Sequence, residues 1–316
     1  MSTQPRALDE RGDAAAPVVA PIVPAPAGAA PGAPRVRRSE FLYFALRNGK
    51  LVLGLSIVLL CLLIALVGPL LTDHAPLAFE GPPAEAPSRE HWLGTTASGQ
   101  DVYSQFVHGL RSTFVVGALG GGLAALIAMV VGFTAGYRGG IVDEILSMLT
   151  NVVLVIPTLA VLIIAAAYLT VRGFVAEALF IGFTSWPWAA RAVRAQTFSL
   201  VSRDFVDMAR LSGRSSRQII LREIAPNMSS YLLLMFILLF GGAILIGATL
   251  DFLGLGPSNA MSLGLMMNNA VLWGALLLGT WWWFIPPGVG IMAVVGGLYV
   301  MNVGLDEIFN PRLREL

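Results

Sequence analysis

The feature that most constrains this chain is a series of apolar runs almost free of charge, each close to the roughly 20 residues that a helix needs to cross a bilayer. Segments 51–71, 113–137, 145–169, 174–190, 228–250 and 281–305 meet or approach that length. Hydrophobic residues make up 56% of the 316 and charged residues only 12%, with a mean hydropathy of +0.75. A soluble domain carries about a quarter of its residues as charges, so lipid must be the solvent for most of this chain. The expectation is an all-α polytopic membrane protein of about six transmembrane helices. The fourth run is short, with Glu177 near one end and Trp186-Pro187-Trp188 at the other, a pattern that suits an interfacial aromatic anchor and a kink. Residues 260–278 are nearly long enough to make a seventh span. Asn268 and Asn269 sit in the middle of that stretch, and only Gly279-Thr280 would separate it from the next run, so a re-entrant or surface-lying segment is expected.

Charge placement orients the runs. With the N-terminus inside, seventeen Lys and Arg fall in inner segments and three, Arg89, Arg111 and Arg172, fall outside. Cytoplasmic loops retain positive charge, so both termini are expected in the cytoplasm. Residues 1–40 are Ala/Pro-rich, and prolines from Pro17 to Pro34 would interrupt any helix, so this tail is expected to be disordered. The first apolar run is longer than the core of a signal peptide and is read as a retained span. The expected organisation is tail 1–40, first span with an extracytoplasmic segment 41–112, membrane core 113–305, and a short cytoplasmic tail 306–316. Cys61 is the sole cysteine and lies in an apolar run, which excludes an intrachain disulfide and a cysteine-based metal site.

The loop 191–227 holds seven arginines, but it also has an internal pattern. Ser202 or Asp204 can cap a helix whose Phe205, Met208, Ala209 and Ser212 recur at helical spacing. Gly213 follows where a helix ends in a left-handed residue. Ser215-Ser216-Arg217-Gln218 then reads as a capping box opening a second helix. That helix carries Ile219, Ile220 and Ile224 and stops or kinks at Pro226. Two short helices meeting at a glycine corner form a knob on the inner face, a shape suited to docking.

Here the residues resemble the bacterial binding-protein-dependent ABC importer permeases, whose cytoplasmic signature is Glu-Ala-Ala, three residues, Gly, and a later Ile-x-Leu-Pro. The match is Asp207-Met208-Ala209, Gly213 and Ile224-Ala225-Pro226, with spacing kept and Asp207, Met208 and Ala225 as departures. The dipeptide/oligopeptide branch is further resembled by the segment from His91 to Val102, by Ala135-Gly136-Tyr137-Arg138-Gly139-Gly140, by Trp188 to Arg194, by Leu250 to Gly256, and by Asn302 to Asp306 with Asn310 to Arg314. Their order is that of the C-type subunit. The resemblance implies a type I importer permease that moves substrate by alternating access. It makes Asp204, Asp207, Met208, Ala209, Gly213, Arg214, Ser215 and Pro226 the coupling surface for a cytoplasmic ATPase. It further implies a second homologous permease and an extracytoplasmic substrate-binding protein, in the bacterial cytoplasmic membrane and with no nucleic-acid partner. Peptides are the default substrate of the branch; oligosaccharides and nickel use similar machinery. No nucleotide-binding Gly-rich motif occurs and the one lysine is Lys50, so no catalytic residue or cofactor is expected in this chain, ATP and Mg being used by the partner.

Gly117, Gly121, Gly132 and Gly136 have the spacing of close helix packing. Asn151, Pro157 and Asn302 are candidate substrate-pathway residues, with helix pairing or a kink as the plain alternative. His74, His91 and His108 lie seventeen residues apart, a spacing that matches no ligand pattern; they are expected to be exposed or interfacial, with no metal. Trp281-Trp282-Trp283 is expected to anchor the outer interface. Ser262-Leu263-Gly264 stands where the family has Ser-Trp-Gly. An ion-coupled carrier would bury more ionisable groups than Glu177. A channel filter and a hydrolase motif are both absent.

Overall fold

The computed structural model describes residues 46–168, 173–257 and 260–309. The expected disordered tail, Arg172 and the motif from Asn310 to Arg314 lie outside the described residues. Helix α1 spans Gly49–Val67 and is capped by Asn48, whose side chain accepts from the Leu51 amide at 2.9 Å. Helix α2, Val102–Arg138, starts well before the expected 113. The reason is local: Asp101 accepts from the Ser104 amide at 2.6 Å and nucleates the helix before the apolar run begins.

Helices α3 (Gly140–Val155) and α4 (Thr158–Tyr168) divide the expected third span, meeting at an angle of 75°, so the kink named as the plain reading of Pro157 is present. Pro157 lies at the break; it has no N–H to give and forces Ile156 into an extended conformation (φ −75°, ψ 123°). Helices α5 (Phe174–Ser185) and α6 (Pro187–Val201) carry the expected kink at Trp186-Pro187. Two short helices, α7 (Asp204–Leu211) and α8 (Ser216–Ile219), lead to α9 (Ser229–Phe252), α10 (Leu263–Leu272) and α11 (Trp281–Phe309).

Among the described residues, four of these helices, α1 with its terminal turn, α2, α9 and α11, are long and apolar enough to cross a membrane alone, and the bent pair α3/α4 makes a fifth. The remaining expected span is divided between α5 and α6, so six is an approximate count. At ten residues α10 reaches only about 15 Å, too short to cross. Left-handed Gly274 (φ 69°) and Gly279 (φ 71°) turn the chain twice before α11. Asn268 donates to the Phe252 carbonyl at 2.7 Å and so satisfies the end of α9.

Two close helix pairs set the bundle. A Cβ on Gly54 of α1 would collide with the Met301 amide nitrogen and lie 2.6 Å from the Gly297 carbonyl of α11. Substituting Gly54→Val must therefore push the backbones of α1 and α11 away from each other. The expected cost is about 1–3 kcal/mol, seen as a lower Tm of the detergent-solubilised protein; an unchanged melt would contradict the pairing. In the second pair, α2 lies on α6: Cβ atoms on Gly132 and Gly136 would sit 2.8 Å from the Ala190 carbonyl and 2.7 Å from the Arg194 carbonyl. Gly117 and Gly121 meet Phe240 of α9, where α2 widens by one residue per turn. These four glycines are packing residues, as their spacing implies.

Helix α9 lies between the pairs, and its Ile237 and Ile244 join Leu110, Met266, Trp283 and Leu298 in one buried cluster. The tryptophan triplet is not the uniform anchor expected. Trp281 is exposed and Trp283 is buried, while Trp282 donates from Nε1 to the Thr95 carbonyl at 3.1 Å and pins the segment before α2. The reason is that the helical period sends three consecutive side chains in three directions.

Candidate functional site: a two-helix knob and a buried carboxylate pair

The loop 191–227 folds as two helices around a glycine corner. Neither expected cap holds the first helix: Arg203 takes the N-cap position without a side-chain bond, and Asp204 is the first helical residue. Asp204 and Asp207 then lie in the first turn, where the helix dipole favours negative charge. The face is also rotated from the expected one. Val206 and Ala209 are buried, whereas Met208 and Ser212 are exposed. The swap follows from the support beneath the knob, where Phe133 of α2, Val193 of α6, Ile219, Ile224 and Met228 form one cluster with Val206 and Ala209.

Gly213 has φ +72°. Its amide donates to the Arg210 carbonyl at 2.9 Å and the Arg214 amide to the Ala209 carbonyl at 3.2 Å, the paired bonds of a Schellman ending. The capping box is present: Ser215 Oγ accepts from the Gln218 amide at 3.4 Å, and the Ser215 amide donates to Gln218 Oε1 at 3.0 Å. After Ile219 the helix widens over Ile220–Ile224, and Pro226 falls in the next turn, Ala225–Asn227. The helical turn therefore ends one residue past the proline and is capped by Met228 (φ −117°) before α9 begins. Asn227 donates to the Glu223 carbonyl at 2.6 Å, taking up a backbone acceptor near the site of the missing N–H.

Two cross-links hold the knob's shape. Arg214 pairs with Glu223 across the corner. Arg210 pairs with Asp207 at 3.0 Å, and its guanidinium lies 5.6 Å from the centre of the Tyr137 ring at the end of α2. The Tyr137 hydroxyl and Asp207 raise the Arg210 pKa further above its ordinary value, so the group stays charged. What remains outward is a mixed-charge rim, Asp204 with the exposed Arg203, Arg217 and Arg222, beside an apolar patch of Met208, Leu211 and Leu221, with Leu211 84% exposed. Apart from its chain neighbours, no described residue lies within 4 Å of where a Cβ on Gly213 would stand. Apolar side chains this exposed, on a rigid corner rimmed by charge, fit a surface made for another protein.

The three candidate pathway residues are not gathered in one place. Asn151 accepts from Arg191 Nη2 at 2.7 Å and lines a cavity of about 180 Å³ with Arg194, which pairs with Asp143. Pro157 makes the bend of α3/α4. Asn302 sits on α11, whose main neighbours are α1, α9 and α10, and its Oδ1 is buried with no partner among the described residues.

Sequence reasoning gave no role to a second polar feature. Glu177 of α5 and Asp251 near the end of α9 both lie at the last turns of α9, Glu177 lining a cavity with Leu250 and Asp251 a second one with Gly247, far from the knob. Glu177 Oε1 lies 3.0 Å from where a Cβ on Gly247 would stand, Asp251 is one turn further along α9, and the charge of Asp251 acts on Glu177. Asp251 is only 3% exposed, and its Oδ1 and both Glu177 carboxylate oxygens lack hydrogen-bond partners among the described residues. The available signal was a lone carboxylate closing an apolar run, which Asp251 is.

The sequence matches the model of the family described as binding-protein-dependent transport system inner membrane component over residues 128–315. Among curated proteins, the chain is similar to a dipeptide transport system permease protein of Alkalihalophilus pseudofirmus, at 31% identity over 85% of this chain and 88% of that protein. It is also similar to a dipeptide permease of Bacillus subtilis, at 29% over 89% of this chain and 88% of the relative. An oligopeptide transport system permease protein of Mycobacterium tuberculosis matches at 30% over 89% and 96%.

Proposed function

This chain belongs to the family of binding-protein-dependent transport system inner membrane components, and we propose that it is one permease half of an ATP-driven importer of peptides. It is a multi-pass inner-membrane transport subunit. The observation that carries the finer reading is the knob, a rigid two-helix corner with an exposed apolar tip and a charged rim, fixed by Gly213 and the Ser215 capping box. An ATPase subunit would receive this tip in a groove. Closure of an ATPase dimer on ATP and Mg would then push the knob, and the cluster beneath it would pass the push to α2 and α6. On this reading Asp204, Asp207, Met208, Gly213 and Arg214 face the motor, while Ala209, Ser215 and Pro226 hold the shape.

The charge count supports a cytoplasmic knob and cytoplasmic termini, which leaves segment 72–101 on the outer side to meet a substrate-binding protein. A second, related permease would complete the pathway. Peptides are supported by what the relatives are named for, and they carry an amino-terminal cation, for which Glu177 and Asp251 are suitable acceptors. A bilayer is a costly place for carboxylates without a counter-charge, even where one oxygen is bonded as Asp251 is by Ser262, and such groups within membrane helices are kept for function. The pair adds to Asn151, Pro157 and Asn302 as proposed pathway residues.

An affinity-tagged chain extracted in mild detergent is expected to bring down an ATPase and a second permease. Vesicles containing those partners should take up labelled dipeptide with ATP and binding protein. A chain that purifies alone and accumulates solute under a proton or sodium gradient would overturn the proposal.

A further inference from the structure

Two of the three histidines, spaced without pattern in sequence, converge in the segment before α2. The His74 and His91 rings have centroids 4.9 Å apart, and His91 Nδ1 lies 2.9 Å from Asp101 Oδ2. One donor atom each from His74, His91 and Asp101 fall within 4.8 Å of one another. The expectation of exposed histidines fails at His91, which is 2% exposed, as Asp101 is 4%. Their burial comes from turns in which Gly81 packs against His91 and the Ser88 and Gly94 amides bond the His91 carbonyl. His108 is separate: its Nδ1 contacts the Ser104 carbonyl, 2.9 Å away.

We propose that His74, His91 and Asp101 form a site for a divalent transition ion of the zinc class, on the segment that the proposed function places outside the membrane. Two imidazoles and one carboxylate are the donor set such ions prefer over calcium or magnesium, which take mainly oxygen. The His91–Asp101 spacing is nearly set, while His74, whose donor lies within 4.8 Å of the other two, must close in on them. Two ligands of a tetrahedral zinc ion stand about 3.3 Å apart, so the His91–Asp101 contact needs to open by only a few tenths of an ångström once its shared proton leaves. The supports are also in place. Asp101 is fixed through its other oxygen by the Ser104 amide at 2.6 Å. His74 has the Glu80 carboxylate 3.1 Å from Nδ1, the kind of outer partner that orients a metal-bound imidazole.

A cavity of about 290 Å³ lined by Asp73, His74, Arg89, Glu90 and Asp101 gives entry and room for a fourth ligand. The plain alternative is a structural staple, in which Asp101 caps α2 and His91 holds Asp101. That alternative gives His74 no metal-dependent role.

The test uses the detergent-purified complex stripped with chelator and titrated with Co²⁺, whose visible absorption reports tetrahedral nitrogen and oxygen ligation, and with Zn²⁺ by calorimetry. One Zn²⁺ per chain is expected. His74→Ala, a substitution at a partly exposed position that leaves the His91–Asp101 staple intact, should abolish it, and Glu80→Gln should weaken it on the order of 10- to 100-fold. His108→Ala should bind as the parent does. Absence of a Co²⁺ band in the parent, or zinc binding unchanged by His74→Ala, would overturn the site. Because the readout is metal binding rather than transport, its failure leaves the permease reading untouched, and loss of co-purifying partners leaves this site untouched.

Discussion

Replacing Gly213 by valine is expected to leave the protein inserted and folded but to cut ATP-driven transport by roughly 5- to 150-fold. The range follows from backbone strain. At φ +72° a β-branched residue is held in a conformation it avoids, at a cost of about 1–3 kcal/mol, and each 1.4 kcal/mol is about tenfold in an equilibrium. The chain can relieve this strain by letting the corner open, because no described residue beyond its chain neighbours lies within 4 Å of the new Cβ to resist movement. Opening would break the Schellman bonds and turn Met208 and Leu211 away from a partner groove. Gly213→Asn is the informative control, since asparagine tolerates the left-handed region. It should retain most of the transport that valine loses. If asparagine and valine are equally damaging, the contact at the tip, rather than the angle of the corner, is what matters. If neither has an effect, the knob does not carry force.

The second large effect is expected at the other end of α9. Substituting Asp251→Asn should stabilise the protein and impair it. Burying a carboxylate whose Oδ1 has no partner among the described residues, with Glu177 beside it, costs several kcal/mol unless a cation compensates. Asparagine fills nearly the same volume without the charge, so a gain of about 1–3 kcal/mol is expected, read as a higher Tm in detergent. Transport of peptides with a free amino terminus should fall about tenfold, the loss of about 1.4 kcal/mol of charge-assisted recognition. Amino-terminally blocked peptides should be less affected. A variant that is more stable and equally active would mean that the pair is strain without purpose. A less stable one would mean that the charge is compensated, by the Ser262 side chain that bonds Asp251 or by a bound cation. Glu177→Gln, tested alone and with Asp251→Asn, measures how strongly the two act as a unit.

The knob shows where sequence reasoning reaches and where it stops. Gly213 and the Ser215–Gln218 box are readable because both are contracts between residues no more than a few positions apart. The burial of the first helix is not readable in the same way: helical spacing alone points Met208 inward, and the fold turns it out. Eight residues admit more than one apolar stripe, and the choice between Val206 and Met208 is made by Phe133 and Val193, on helices distant in sequence. The Pro157 break shows the same division, since a proline announces a disruption but its 75° angle is set by the packing on each side.

What the sequence by itself determined is therefore whatever is encoded at short range: apolar runs long enough to need lipid, glycine spacings that bring helices together, a positive-φ corner and a capped helix start. The tertiary structure alone decided which distant residues meet. It brought His74 to His91 and Asp101, Glu177 toward Asp251, and Trp282 onto Thr95, and it separated Asn302 from Asn151. The physical reason is that helices and turns form from contacts between near neighbours, whereas these meetings depend on how rigid helices pack, and a site's chemistry is made by groups that only packing brings within hydrogen-bond or coordination distance.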